Sequence, residues 1–145
     1  MIMIKIGFAS DHAGFELKES IKDYVKQKGY TCEDFGTCSA NSCDYPDYGH
    51  PLAEAVESGE VDLGIAFCGA GNGIGMTLNK HQGIRAAICW NTEVVSMSRA
   101  HNDANILVLP ARYVSREESE KMVDVFLNTS FDGGRHKIRI DKIPC

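Results

Sequence analysis

Cys68 follows the apolar run Val61 to Phe67 and opens the stretch Cys68-Gly69-Ala70-Gly71-Asn72-Gly73-Ile74-Gly75. A thiol therefore stands directly before a loop nearly stripped of side chains. Glycines let backbone N–H groups approach a ligand closely and adopt dihedrals closed to other residues. Ile74, Met76 and Leu78 predict a helix that starts inside this loop. Amides at a helix start attract anionic oxygens and favour a neighbouring thiolate. An ordinary thiol titrates near about pH 8.5 and needs such help to act as a base at neutral pH. The pattern points to a thiolate base or nucleophile beside an oxyanion cradle. Two other glycine-loop chemistries fail on spacing. A dinucleotide fingerprint would need glycine where Ile74 or Met76 stands, and a phosphate-binding P-loop would need a terminal Gly-Lys-Ser/Thr. A tight strand-to-helix turn would also use these glycines; Cys68 favours the functional reading.

Other residues supply acids, bases and cations. Asp11 and His12 form an adjacent carboxylate and imidazole. Asp11 could simply cap the following helix, and a capping carboxylate can still accept a hydrogen bond from a ligand. His101 is placed in the last turn of a helix, where the dipole favours the imidazolium form of a proton donor. On the sequence alone, a surface histidine stabilising that helix end is the stronger of the two readings. Arg135 and Arg139 stand four residues apart with His136 and Lys137 between them. On a helix they share a face and can close on one phosphate. Arg112 is a third candidate phosphate ligand. His50, His81 and His136 offer no comparable catalytic pattern.

These residues need a scaffold, and the chain alternates strand and helix patterns. Strands are expected over Ile2 to Ala9, Thr31 to Phe35, Val61 to Phe67, Ile84 to Cys89 and Asn105 to Leu109. Helices are expected over Gly14 to Lys28, Tyr48 to Ser58, the segment after the glycine loop, and Thr92 to His101. Ser115-Arg116-Glu117-Glu118 has the form of a capping box and predicts another. The basic segment from Gly133 to Arg139 predicts a last one. Such alternation implies an α/β fold: a doubly wound, Rossmann-like three-layer sandwich with a five-stranded parallel sheet. Ligands in these folds bind beyond the carboxyl ends of the strands. Ser10-Asp11-His12, Cys68, Trp90-Asn91 and Arg112 fall there. His101-Asn102-Asp103 does not, because it ends a helix.

At 145 residues the chain is expected to form a single domain spanning 1–145. Hydrophobic content of 43% and charged content of 24% suit a globular protein, and a net charge of −5 argues against nucleic acid as a partner. No apolar run reaches the length of a membrane span, and the first residues lack the layout of a signal peptide. The six cysteines show no zinc or redox spacing, so reduced thiols in the cytoplasm are expected. Cys89 is expected in the core.

Taken together, the motifs resemble the ribose-5-phosphate isomerase B family, which includes the galactose-6-phosphate isomerase subunits. The markers are Ser10-Asp11-His12-Ala13-Gly14, Asp34-Phe35-Gly36-Thr37, Asp44-Tyr45-Pro46 and the Cys68 loop. Asn79-Lys80, Gly83-Ile84-Arg85-Ala86, His101-Asn102-Asp103-Ala104-Asn105 and Gly133-Gly134-Arg135-His136 extend the likeness over essentially the whole chain. The resemblance implies interconversion of an aldose phosphate and a ketose phosphate with no metal or other cofactor. Cys68 then matches the proton-transferring base, and the amides of Gly69, Ala70, Gly71, Asn72 and Gly73 match the enediolate cradle. His101 matches the ring-opening residue. Asp11, with Ser10 beside it, matches the contact near the ring oxygen, and Asn102 matches a hydroxyl ligand. Arg112, Arg135 and Arg139 match the phosphate ligands. The resemblance also implies a homodimer or dimer of dimers with sites at the subunit interface.

Ala70 departs from many members, which carry a hydroxyl residue there. Another branch uses a glutamate later in the loop as base; this chain has Ile74 at that position and keeps Cys68. Ribose 5-phosphate and ribulose 5-phosphate are the expected substrate pair. A six-carbon substrate, such as allose or galactose 6-phosphate, and a non-catalytic phospholigand-binding module are the alternatives.

Overall fold

The computed structural model describes residues 3–145. Five strands, β1 (Lys5–Ser10), β2 (Thr31–Asp34), β3 (Leu63–Cys68), β4 (Ala86–Ile88) and β5 (Ile106–Pro110), pair in the order β2-β1-β3-β5-β4. All four pairings are parallel. Six α-helices among the described residues connect and follow them, α1 (Phe15–Gln27), α2 (Pro46–Ser58), α3 (Asn72–Leu78), α4 (Thr92–Ala100), α5 (Arg116–Asn128) and α6 (Arg135–Ile140), with a short 3-10 turn at His12–Gly14. The expected doubly wound architecture is present, with boundaries displaced by a few residues. Ile2, expected in the first strand, lies outside the described residues. The second helix starts at Pro46 rather than Tyr48, since proline suits the first helical turn.

Strand side chains alternate between two cores. Phe8, Ile65, Phe67, Leu107 and Leu109 face one side, where they meet Ile21 and Val25 of α1, Val95 of α4, and Met122 and Phe126 of α5. Ala9, Ala66, Cys68, Ile106 and Val108 face the other, against Leu52 and Ala53 of α2 and Ile74 and Leu78 of α3. The second face is built from smaller residues, which brings its helices close. At Gly7 an added Cβ would lie 2.6 Å from Leu52 Cδ1. Cys68 therefore belongs to the α2–α3 side of the sheet.

In a parallel sheet every connecting helix runs back against the strands. Hence α3 and α5 begin at the carboxyl edge, and α4 ends at the amino edge. Hydrogen bonds place the α4 end there directly. The Ala104 N–H donates to the Ser98 carbonyl at 3.0 Å, and Asn105, just before β5, donates to the carbonyl of Arg85, just before β4, at 3.0 Å. The expected capping box of α5 is present, with Ser115 Oγ accepting from Glu118 N–H and the Glu118 carboxylate accepting from Ser115 N–H.

Candidate active site

The three adjacent strands β1, β3 and β5 deliver the first group of residues to the carboxyl edge. Ser10 ends β1 and pairs in register with Phe67; Cys68 ends β3 and pairs with Pro110 of β5. Cys68 is buried, at 4% exposure, in the core between the sheet and α2–α3. The Cys68 carbonyl accepts from Ala111 N–H at 2.9 Å, and the Gly69 carbonyl from Arg112 N–H at 3.0 Å. These two bonds bring the turn after β5 alongside the glycine loop. The Arg112 side chain lies over Gly69, where an added Cβ would come within 3.1 Å of its Nη1.

Asp11 does cap the first turn, as one of its two expected roles required. Its Oδ1 accepts from Ala13 N–H at 3.0 Å and Gly14 N–H at 3.2 Å, while no such bond reaches Oδ2 among the described residues. Beside it, the fully buried Ser10 Oγ has no hydrogen-bond partner among the described residues. An orphaned buried hydroxyl has a free-energy cost. His12, by contrast, accepts from Cys43 N–H at its Nδ1, 3.2 Å away, and so ties down the polar loop before α2.

Gly71 has a φ of +79°, a left-handed value that its lack of a side chain makes accessible, and it caps α3 without a side-chain bond. The first helical bond runs from Gly75 N–H to the Gly71 carbonyl at 3.0 Å. The N–H groups of Asn72, Gly73 and Ile74 thus have no acceptor within the helix. The Tyr45 ring packs on Gly73, where a Cβ would sit 2.5 Å from the ring. Asp44-Tyr45-Pro46 was legible only as a marker of resemblance; the structure shows that Tyr45 walls the loop.

The second group gathers at the opposite edge of the sheet. His101 is the C-cap of α4, and its imidazole stacks on that of His136 with centroids 4.2 Å apart and planes 10° from parallel. Asp132 N–H donates to the Ala100 carbonyl at 2.9 Å and anchors the segment entering α6. Arg135 and Arg139 follow on α6, exposed and without an acidic partner among the described residues. Asn102 borders a cavity of about 270 Å³ together with Asn79, Arg85, Ala87 and Ile143. The His101–His136 stack escaped sequence reasoning because it joins positions 35 residues apart; only the Arg-His adjacency hinted at it. Burial first, then the charges of His101, Arg135 and Arg139, lowers the His136 pKa from its usual value, against the pull of Asp132.

His101, Asp132 and His136 bring ligand-type atoms within 4.8 Å of one another. Nearly parallel stacked rings, however, direct their lone pairs in separate planes. The two imidazoles could share one metal ion only by leaving the stack. Cys89 is as buried as expected, and desolvation pushes its thiol up to about 11, against a hydrogen bond from Ser98. It sits just beyond β4 rather than within it.

The two groups do not meet within one chain. Four residue steps along β5 separate the Ile106 level from the Cys68–Pro110 level, about 13 Å of parallel strand, and His101 lies beyond Ile106. Among the described residues no hydrogen bond or ion pair links His101 to the Cys68 loop.

The sequence profile of the Ribose/Galactose Isomerase family matches residues 6–143. The chain belongs to this family. It is 43% identical to ribose-5-phosphate isomerase B of Escherichia coli over 141 residues, covering 97% of this chain and 95% of that protein. Among solved structures, a ribose 5-phosphate isomerase of Thermotoga maritima superposes with a TM-score of 0.96 at 50% identity, covering 97% of both chains. A family member from Mycoplasma genitalium, ribose-5-phosphate isomerase B with bound ribulose-5-phosphate, superposes with a TM-score of 0.93 at 39% identity, covering 99% of this chain and 95% of that one. The shared fold is therefore that of this isomerase family over nearly its full length. No helix among the described residues is long and apolar enough to cross a membrane.

Proposed function

We propose that the chain is a metal-independent aldose–ketose isomerase for ribose 5-phosphate and ribulose 5-phosphate, active as pairs of chains. In each pair the carboxyl edge of one sheet faces the amino edge of the other. The placement of Cys68 and His101 at opposite edges of one sheet carries this reading, because a single chain holds half a site at each end. The Mycoplasma genitalium relative, which was solved with ribulose-5-phosphate, supports the five-carbon substrate.

In this assembly the phosphate is held by Arg112 of one chain and by Arg135 and Arg139 of the other. All three are exposed cations with no acidic partner among the described residues. Phosphate binding at the far end of the sugar orients the reacting carbons. His101 of the second chain protonates the ring oxygen as its bond to C1 breaks. The anomeric hydroxyl gives its proton to Asp11 Oδ2 beside the ring oxygen and the aldehyde is freed, while Ser10 Oγ and Asn102 take hydroxyl groups. The Cys68 thiolate removes the proton on C2. The electron pair forms the C1–C2 double bond, and charge moves to the oxygen on C1. The N–H groups of the 69–73 loop hold that charge more strongly in the transition state than in the ground state. Transfer of the hydroxyl proton on O2 to O1 and return of the thiol proton to C1 complete the ketose.

The deciding experiment is turnover of ribose 5-phosphate by purified protein in the presence of a chelator, with allose 6-phosphate assayed alongside. Isomerisation of the pentose at a rate insensitive to the chelator is expected. Loss of activity on chelation would overturn metal independence, and a preference for the hexose would overturn the substrate assignment.

A further inference from the structure

The turn that carries His101 and Asn102 is held by charges for which the reaction has no use. Asp103, next in the chain, has a φ of +46°, and it is the one non-glycine residue with a positive φ among those described. Aspartate tolerates the left-handed region, but glycine is the usual occupant just past a helix end. The side chain explains the exception. Arg99, in the last turn of α4, donates from Nη1 to Asp103 Oδ1 at 3.0 Å and to the Ala104 carbonyl at 2.6 Å. Its Nε donates to the Thr129 carbonyl at 3.3 Å, beyond the end of α5. Arg85, just before β4, donates from Nε to the carbonyls of Asn102 at 3.1 Å and Asp103 at 3.0 Å. Its Nη2 reaches Asp103 Oδ2 at 3.5 Å.

A backbone conformation that its surroundings must sustain is a sign that position matters there. Glycine at 103 would supply the dihedral without the carboxylate that both arginines grip. We propose that Arg85, Arg99 and Asp103 form a clamp that sets the angle at which His101 meets the sugar ring. They are positioning residues, acting through His101 and not on the substrate, and the clamp rests on the ring-opening role proposed above. Arg85 is the cleaner probe, since Arg99 also lies over the buried Phe126 ring, 5.6 Å from its centroid. Lysine at 85 keeps the charge but cannot bridge two carbonyls and a carboxylate at once.

The test compares wild type, Arg85→Lys, His101→Asn and the double variant, with thermal unfolding followed in parallel. Two substrates are used: ribose 5-phosphate, and a four-carbon aldose 4-phosphate that cannot close a five-membered ring. With ribose 5-phosphate, Arg85→Lys is expected to lower kcat by about tenfold and to leave KM within about twofold, because orientation and not phosphate affinity is disturbed. Its rate with the four-carbon substrate should stay near wild type. In the His101→Asn background the same change should cost less than about twofold, the non-additivity of residues that act as a unit. Equal losses on both substrates, or in both backgrounds, would reduce the clamp to a general structural role and overturn the proposal. Wild-type kcat in Arg85→Lys while His101→Asn is impaired overturns the clamp alone. Full activity in His101→Asn removes the catalytic assignment first, and the clamp with it. If Arg85→Lys fails to fold, Asp103→Asn, isosteric and tolerant of the left-handed region, is judged by the same criteria.

Discussion

At the scale of single residues, the proposed site draws on groups left without partners among the described residues: Ser10 Oγ, amides at the start of α3, and three arginines. Cys68→Ser tests the centre of the mechanism. The change is nearly isosteric, so the fold and phosphate binding should survive, while kcat should fall by about 10²- to 10⁴-fold as the proton-transferring group is lost. Calorimetric binding of ribulose 5-phosphate beside a rate assay checks both halves, and near-normal turnover would remove Cys68 from the reaction. Arg135→Ala and Arg139→Ala should act on affinity. Each removes a charge-assisted contact of about 1.5–3 kcal/mol, or roughly a 10- to 100-fold rise in KM. An unchanged KM in both would return α6 to an ordinary solvated face. The placement of Cys68, Asp11 and Arg112 at the carboxyl edge was legible in the sequence because it follows from the strand pattern and local spacing. The partners of His101 were not, since Arg85, His136 and Asp132 converge on its turn only through tertiary folding.

Among the elements, the alternating pattern predicted the layers well, and boundaries slipped where apolar runs outlast the hydrogen-bonded strand, as at Val61 and Ile84. The ion cluster that braces β2 against α1 was invisible, because lysine in a helix predicts a solvated face. Instead Lys18 is fully buried, with Nζ 2.5 Å from Asp34 Oδ2 and 3.0 Å from Glu19 Oε1, and Lys22 also reaches Asp34 at 2.7 Å. Asp34 Oδ1 accepts from Gly36 N–H at 2.9 Å, and the Gly36 carbonyl takes Ser10 N–H at 2.7 Å, so the cluster also steadies the end of β1. Burial raises the Asp34 carboxyl, but Lys18, Lys22 and the Gly36 amide outweigh it and hold the group below its ordinary value. With the folded pKa depressed, its stabilisation is complete above the unfolded-chain value of about 3.9 and is lost as pH falls through the lower folded one. Asp34→Asn should therefore cost about 3 kcal/mol at neutral pH, leaving Lys18 poorly compensated. That gap should narrow as the medium is acidified below about pH 4, which denaturant unfolding of both proteins across the acid range would show. A gap independent of pH would mean that the charge of Asp34 is irrelevant to stability.

At the level of the whole molecule, the expectation that His101 must reach the site from elsewhere acquires a geometric cause. A helix that runs back against its strands cannot deliver its last residue to the edge where they end. In the proposed assembly, two chains related by a twofold axis would solve this for both sites at once. Cys68→Ser and His101→Asn, each weak or inactive alone, should then complement one another when unfolded together and refolded. Half of randomly formed pairs are mixed, and each mixed pair carries one intact site and one doubly defective site, so about a quarter of wild-type activity should return. Recovery of no activity above the sum of the parents would place both residues in one chain's site.

Trp90 is the only tryptophan of the chain, follows the edge strand β4, and is 58% exposed. It borders a small cavity with Asn91, Glu118, Lys121 and Met122. The intrinsic fluorescence of the protein is therefore a built-in optical gauge of one rim of the molecule. A blue shift with rising concentration means that a second chain covers that rim. An emission maximum constant on dilution, while activity falls, means that the chains pair through another surface.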